Sequence, residues 1–348
     1  MRFLSLSALL LAPAAFCSDS TPTQIHLALA GDDGSGNSNA MTVSYQTEVD
    51  CPASVIFGTT PDNLDRTATG SSSSYYATYD HHVILSDLDA DTTHYYQILP
   101  DGPVNSFTTP PKSSSDAGSS VSFAFFGDLG LVNGDSARAY MTTLASATPP
   151  AIDLVLHAGD VGYADDSFLH FGCYLRFCYE EKWNEFMDSM EPIVSKLPWM
   201  TAPGNHEADC HDPACMLSRT RRDKLSNFTA YNSRFRMPSE ESGGVMNMWH
   251  SFNHGPVHFV SLDLETGFPG AAEETRYVLK CGGFGDQLTW LEEDLRLASQ
   301  NEDTPWIVLS GHHPMYNGGS VDRKMQAAIE PLLLKYGVDV FFTGHVHS

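Results

Sequence analysis

The sequence predicts an α/β domain preceded by an all-β domain of fibronectin-III or immunoglobulin type. Three observations carry this. Short apolar runs, punctuated by Gly, Asn, Asp and Pro, fill the chain up to about residue 109. A Pro-, Ser- and Gly-rich stretch follows. Past residue 120, continuous apolar runs alternate with helix-period segments. The 348 residues suit two domains, each with its own core. The boundaries read as a signal peptide at 1–18, a β-sandwich at 22–110, a linker at 111–120 and the α/β domain at 121–348.

In the first domain, Met41 to Gln46 alternates apolar and polar residues. Ser54–Phe57, His82–Leu88, His94–Leu99 and Asn105–Thr108 are further strand-like runs. Several such strands in so short a span suggest a sandwich. The pair His81-His82 reads as structural, and Ser71–Ser74 as low complexity. In the second domain, Val121–Phe126, Leu154–His157, Trp199–Ala202, Val257–Leu262, Trp306–Leu309 and Val338–Phe342 read as strands. Ser136–Ala147, Glu180–Lys196, Gln287–Leu297 and Arg323–Lys335 read as helices. In Glu180–Lys196 the side chains of Trp183, Phe186, Met187 and Met190 fall on one side.

Charge and the N-terminus narrow the setting. There are 43 Asp and Glu against 19 Lys and Arg, a net charge of −24. Such a surface argues against nucleic acid or an anionic membrane as partner. It also works against long-range capture of an anionic ligand, so positive potential would have to be made locally, for which bound metal ions are the natural means. Arg2, the apolar run Leu4–Phe16 and the small residues near Ala14–Ser18 read as a secretory signal, too short for a membrane span. Secretion permits disulfides. Removing Cys17 leaves Cys51, Cys173, Cys178, Cys210, Cys215 and Cys281, with connectivity open. The close pairs Cys173/Cys178 and Cys210/Cys215 read as local staples, or alternatively as metal ligands. Asn227-Phe228-Thr229 is an N-glycosylation sequon.

Five short motifs carry the chemistry, each behind a predicted strand. They are Gly127-Asp128-Leu129-Gly130, Gly159-Asp160-Val161-Gly162-Tyr163, Gly204-Asn205-His206-Glu207, Gly311-His312-His313-Pro314 and Gly344-His345-Val346-His347. Carboxylate, imidazole, amide oxygen and phenolate bind metals of intermediate hardness. The leading glycines let the backbone turn sharply and approach an ion closely. One such motif alone is a turn; five together in one α/β domain, at strand ends, point to a metal centre.

In this order the motifs resemble the calcineurin-like metallophosphoesterases, and more narrowly the purple acid phosphatases of plants and fungi. The first motif lacks the Asp-x-His histidine of most of that superfamily, and Tyr163 stands where it can replace it. Phe235-Arg236-Met237-Pro238, Met248-Trp249-His250-Ser251-Phe252 and Gly255-Pro256-Val257-His258-Phe259 are also similar to this family. The resemblance implies a sandwich of mixed sheets flanked by helices. It further implies an iron(III) held by Asp128, Asp160, Tyr163 and His347. A divalent ion (zinc, iron or manganese) would be held by Asp160, Asn205, His312 and His345, with Asp160 bridging. A metal-activated hydroxide would attack phosphorus. His206 would orient the phosphate and protonate the leaving alcohol. Glu207 would fix that imidazole, and His313 would contact phosphate. His157 and His258 read as structural, while His250 and His254 are weaker candidates for the pocket.

The chain departs from the plant pattern at Tyr316-Asn317-Gly318-Gly319-Ser320, which lacks a histidine pair. It stops one residue after His347, which reads as a truncated C-terminus. The reading is therefore a secreted acid phosphatase acting on phosphate monoesters. The alternatives are a phosphodiesterase or nucleotide pyrophosphatase on the same metal pair, and a catalytically silent secreted binding protein. Partners are phosphate-ester small molecules; oligomeric state, a homodimer included, is open.

Overall fold

The computed structural model describes residues 20–31, 39–111, 120–132, 134–169, 172–174, 176–271 and 280–347. The expected signal segment and most of the expected linker lie outside these residues. Among the described residues, eight strands make the first unit: β1 (Thr23–Leu29), β2 (Met41–Thr47), β3 (Ser54–Gly58), β4 (Arg66–Thr69), β5 (Ser71–Ser74), β6 (Tyr79–Leu85), β7 (Thr93–Ile98) and β8 (Val104–Thr108). They form two four-stranded sheets, in the orders β1-β2-β6-β5 and β4-β3-β7-β8. Ser71–Ser74, low complexity by sequence, is an exposed edge strand paired with β6. Backbone hydrogen bonding alone makes it a strand, which is why no side-chain pattern marks it.

The second unit holds β9 (Phe123–Phe126), β10 (Leu154–Ala158), β11 (Trp199–Ala202), β12 (His250–His254), β13 (Val257–Leu262), β14 (Trp306–Gly311), β15 (Tyr316–Asn317), β16 (Ser320–Val321) and β17 (Val340–Thr343). One sheet is parallel, β11-β10-β9; the other is mixed, β12-β13-β14-β17, with only the β12–β13 pair antiparallel. The sheets face each other through Phe123 against Phe259 and Phe125 stacked on Phe342 at 4.6 Å. This is the expected sandwich of mixed sheets. β12 escaped the sequence reading because His250-Ser251-Phe252-Asn253-His254 looks polar, yet all but Asn253 are buried.

The helices follow their apolar spacing. Tyr179–Val194 buries Trp183, Phe186, Met187, Met190 and Ile193 along one stripe. Arg323–Tyr336 starts where the Asp322 carboxylate accepts the N–H groups of Lys324 and Met325 at 3.0 Å. It stops at Gly337, whose φ of 71° suits a left-handed cap.

The two units share a buried seam. Strand β1 is buried at every position after Thr23. It lies between β2 and the helix Tyr179–Val194, and the Glu191 carboxylate accepts from the Ile25 N–H at 3.2 Å. The Tyr96 hydroxyl donates to the Ser195 carbonyl at 2.7 Å. At the centre Arg234, fully buried, donates to Gln24, Tyr75, Glu180 and Asn184 at 2.8–3.1 Å. Disulfides join Cys173 to Cys178 and Cys210 to Cys215. Among the described residues, no helix is long and apolar enough to cross a membrane.

Candidate metal centre

Parallel strands bring their C-terminal ends to one edge, and the five motifs leave β9, β10, β11, β14 and β17 there. Backbone crowding explains two of the glycines. A Cβ on Gly204 would sit 2.3 Å from the Asp160 nitrogen, and one on Gly344 would sit 2.6 Å from Asp128 Oδ2. The polar residues behind the glycines also pay in conformation. Asp128, Asp160, Tyr163 and His345 have φ of 56°, 51°, 51° and 72°. This left-handed region costs a non-glycine residue roughly 1–3 kcal/mol.

The side chains form a buried group and an outer group. In the buried group, His312 Nε2 lies 3.0 Å from Asp160 Oδ2 and 3.2 Å from His345 Nδ1. His312 Nδ1 is 2.8 Å from the Ala158 carbonyl, so it donates there and leaves the Nε2 lone pair facing inward. The buried Asn205 Oδ1 has no hydrogen-bond partner. Acceptors thus confront acceptors. In the outer group, the Tyr163 hydroxyl is 3.2 Å from Asp128 Oδ1 and 2.9 Å from His347 Nε2. His347 Nε2 is also 3.0 Å from Asp128 Oδ1. The His345 N–H donates to Asp128 Oδ2 at 2.8 Å and so ties the two groups together. The His312 side chain is fully buried, whereas that of His347 is 64% exposed.

Electrostatics agree that positive charge belongs between them. Burial opposes charge on both Asp160 and His312, yet their attraction wins: the carboxylate is held low and the imidazole is raised to about 10. A proton occupies the place a cation would take. Burial, then the His313 and His312 charges, lower His345 to about 4 and keep it neutral, as a metal ligand must be. Burial and the Asp160 and Asp128 charges push the Tyr163 phenol far up, so it ionises only beside a strong cation. The donor set therefore fits bound metal ions: two carboxylates, a phenol, an amide oxygen and three imidazoles.

His206 lies at the edge of the buried group. Its N–H donates to Asp160 Oδ1 at 3.0 Å, and its Nε2 is 3.8 Å from Asp160 Oδ2. Its Nδ1 is 2.8 Å from Asp165 Oδ2. Burial opposes charge, but Asp165 and Asp160 outweigh it and raise His206 to about 9. Here the structure corrects the sequence reading of Glu207. That carboxylate does not hold the His206 ring. It is buried and accepts the N–H groups of Asp160, Val161 and Gly204 at 2.8–2.9 Å, so it braces the loop backbone under the site. His313 packs its ring 4.0 Å from that of His345, with Nδ1 3.3 Å from the buried Glu265 carboxylate.

Sequence reasoning missed Asp165, Asp166, Asp209, His211 and Glu265. The adjacent pair Asp165-Asp166, soon after Asp160, was the one available signal. Among the remaining histidines, His258 is bound by Asn253 and Asp294 at 2.7 and 3.0 Å. His157 stacks on Trp199 at 5.8 Å, and His250 on Phe252 at 6.3 Å. Asn227 is half-buried and its Oδ1 accepts from the Gly282 N–H at 2.7 Å.

With this geometry in hand, comparison with known proteins is decisive. Residues 121–348 match the calcineurin-like phosphoesterase family, and residues 22–109 match the purple acid phosphatase N-terminal domain. The chain belongs to the purple acid phosphatases. It is 33% identical to purple acid phosphatase 18 of Arabidopsis thaliana over 95% of this chain and 66% of that protein. It is 29% identical to an acid phosphatase of Aspergillus ficuum over 88% of this chain and 68% of that one. A purple acid phosphatase structure from yellow lupin (Lupinus luteus) seeds shares the fold, with TM-score 0.69 and 20% identity over 94% of this chain and 59% of that chain. The chain thus spans about two thirds of the length of such relatives.

Proposed function

We propose that this chain is a secreted, metal-dependent acid phosphatase that hydrolyses phosphate monoesters. The observation that carries the reading is the set of unanswered acceptors at the strand ends, with the orphaned Asn205 Oδ1 among them. Asp128, Asp160, Tyr163 and His347 would hold iron(III); Asp160, Asn205, His312 and His345 would hold a divalent ion. Phenolate favours the harder trivalent ion and imidazole the softer one. When bound, the two ions would supply Lewis acidity toward the phosphoryl oxygens and a water of lowered pKa as nucleophile.

The chain's own residues do the rest. Asp165 engages His206 Nδ1, so the ring presents Nε2 to the site. As the bond from phosphorus to the ester oxygen breaks and a bond to the water oxygen forms, that ester oxygen takes the proton from Nε2. His206 then regains a proton from solvent. Glu207 keeps the loop carrying Asp160 in its left-handed turn.

Metal analysis with a visible spectrum tests this, alongside turnover of p-nitrophenyl phosphate and of its diester at acid pH. The expected result is two metals per chain, one of them iron, a violet band that Tyr163→Phe abolishes, and preference for the monoester. Preference for the diester would shift the assignment to a phosphodiesterase. A chain that binds no metal and turns over neither ester would end it.

A further inference from the structure

Behind His206 lies a cluster of which the proposed chemistry uses only Asp165. Asp165 is fully buried, and its Oδ2 is shared by two imidazoles: His206 Nδ1 at 2.8 Å and His211 Nδ1 at 3.3 Å. His211 stands among three carboxylates. Its Nε2 is 3.4 Å from Asp166 Oδ1, and its Nδ1 is also 3.5 Å from Asp209 Oδ1. Asp209 is buried as well.

The backbone around His211 is built to hold it still. It sits in the ring closed by Cys210–Cys215. Asp212 caps the turn Pro213–Met216 through the Ala214 N–H at 2.6 Å, and the Cys210 N–H donates to the Leu225 carbonyl at 2.9 Å. Phe168, on the same turn as Asp165, meets the His211 ring edge-on at 6.2 Å. A histidine that merely solvated a loop would need none of this.

We propose that His211 is a positioning residue for hydrolysis: it secures the Asp165 carboxylate, which in turn fixes the His206 ring against the leaving-group side of the site. Removing His211 leaves Asp165 beside the Asp166 carboxylate with one fewer donor. Repulsion then turns the Asp165 carboxylate away from His206 Nδ1, and the ring loses its fixed direction. The Asp166 and Asp209 carboxylates, accepting from the His211 ring, hold the imidazole charged and raise it to about 10, which suits the role. This inference rests on the proposed phosphatase reading.

Leaving-group dependence separates positioning from bulk structure. A nitrophenolate leaves without help, whereas an alkoxide needs the His206 proton. His211→Ala is expected to lower kcat on an alkyl phosphate such as glycerol phosphate by about 10-fold or more. On p-nitrophenyl phosphate the loss stays within about 3-fold, KM moves little, and both metals remain. Asp165→Asn gives the same selectivity, and the double variant is no worse than the worse single one. His211→Lys, which restores a charged donor, recovers part of the alkyl phosphate turnover. If His211→Ala does not fold, His211→Gln is read instead, with a smaller but equally selective loss expected.

Equal losses on both esters with metals retained would overturn the proposal. So would a third metal per chain in the wild type that His211→Ala removes, since His211 would then be a ligand. Wild-type chain that hydrolyses neither ester would instead sink the phosphatase reading itself.

Discussion

Two polar constellations lie inside this molecule, and they differ in what faces what. At the seam between the units, donors meet acceptors: Arg234 reaches Gln24, Tyr75, Glu180 and Asn184, and His82 sits between the Ser44 hydroxyl at 2.8 Å and the Ser233 carbonyl at 3.1 Å. At the strand ends, acceptors meet acceptors, with Asp160, His312, His345 and Asn205 converging on a space that only a cation satisfies. Burial is similar in the two places, since Arg234 and Asp160 are both 2% exposed. Polarity and burial therefore do not distinguish a functional centre from a structural one, and neither does a single unpaired atom, since Asp80 Oδ2 and Glu180 Oε1 lack hydrogen bonds at the seam; several acceptors converging on one space do. The seam should accordingly hold stability, and the strand ends should hold chemistry at some expense of stability.

Asp160→Asn probes this contrast with the largest expected effect. It removes the carboxylate proposed to bridge the two ions, so activity is expected to fall on the order of 1000-fold or more, the scale of lost Lewis acidity. Metal content should drop with it. The metal-free chain, relieved of a buried charge, should melt within a few degrees of wild type. A variant that keeps two metals and its turnover would break the comparison at its functional end.

Arg234→Met probes the structural end. Removing one partner from a buried ion pair costs about 3 kcal/mol or more, because Glu180 and Asp80 lose their cation. Urea unfolding should report that loss, while metal per folded chain and kcat stay near wild type. A large fall in kcat with stability intact would mean that the seam reaches the site.

How far sequence could see follows the same division. The candidate ligands were legible because each sits in a short segment behind a strand, so strand order alone brings Asp128, Asp160, Asn205, His312 and His345 together. The support around them was not. Asp165 and His206 are 41 residues apart and meet only through the tertiary fold. Glu207 was given the wrong partner because adjacency to His206 suggested a ring contact, whereas a buried carboxylate beside a left-handed turn takes the exposed N–H groups of that turn. Strand β1 lacks a clean alternation because both its faces are covered, one by the sandwich and one by the helix Tyr179–Val194. His81-His82 and His345-Val346-His347 look alike as text, but the first pair bonds to hydroxyls and a carbonyl, at Thr47, Ser44 and Ser233, whereas the second meets other candidate ligands, at Asp128, Tyr163 and His312.

The smallest effect tests the seam by pH. Burial lowers His26 to about 4 and His82 to about 3, so both stay neutral in the folded chain well below the usual value of 6.5. The unfolded chain binds those protons first. Stability from this source is complete above about 6.5 and is lost as the pH falls toward the folded values. Asp80 works the other way: burial raises it to about 6, and its contribution grows as the carboxyl takes up a proton in acid. His82→Gln isolates one histidine, because the amide cannot take a proton. Relative to wild type, the variant should gain about 2 kcal/mol between pH 7 and pH 5, since each pH unit is worth about 1.4 kcal/mol per proton. Urea midpoints at the two pH values measure it. A difference that does not move with pH would mean that the His82 ring is protonated or solvated in the folded chain, and the seam would no longer count as a place where every histidine proton is fixed by its partners.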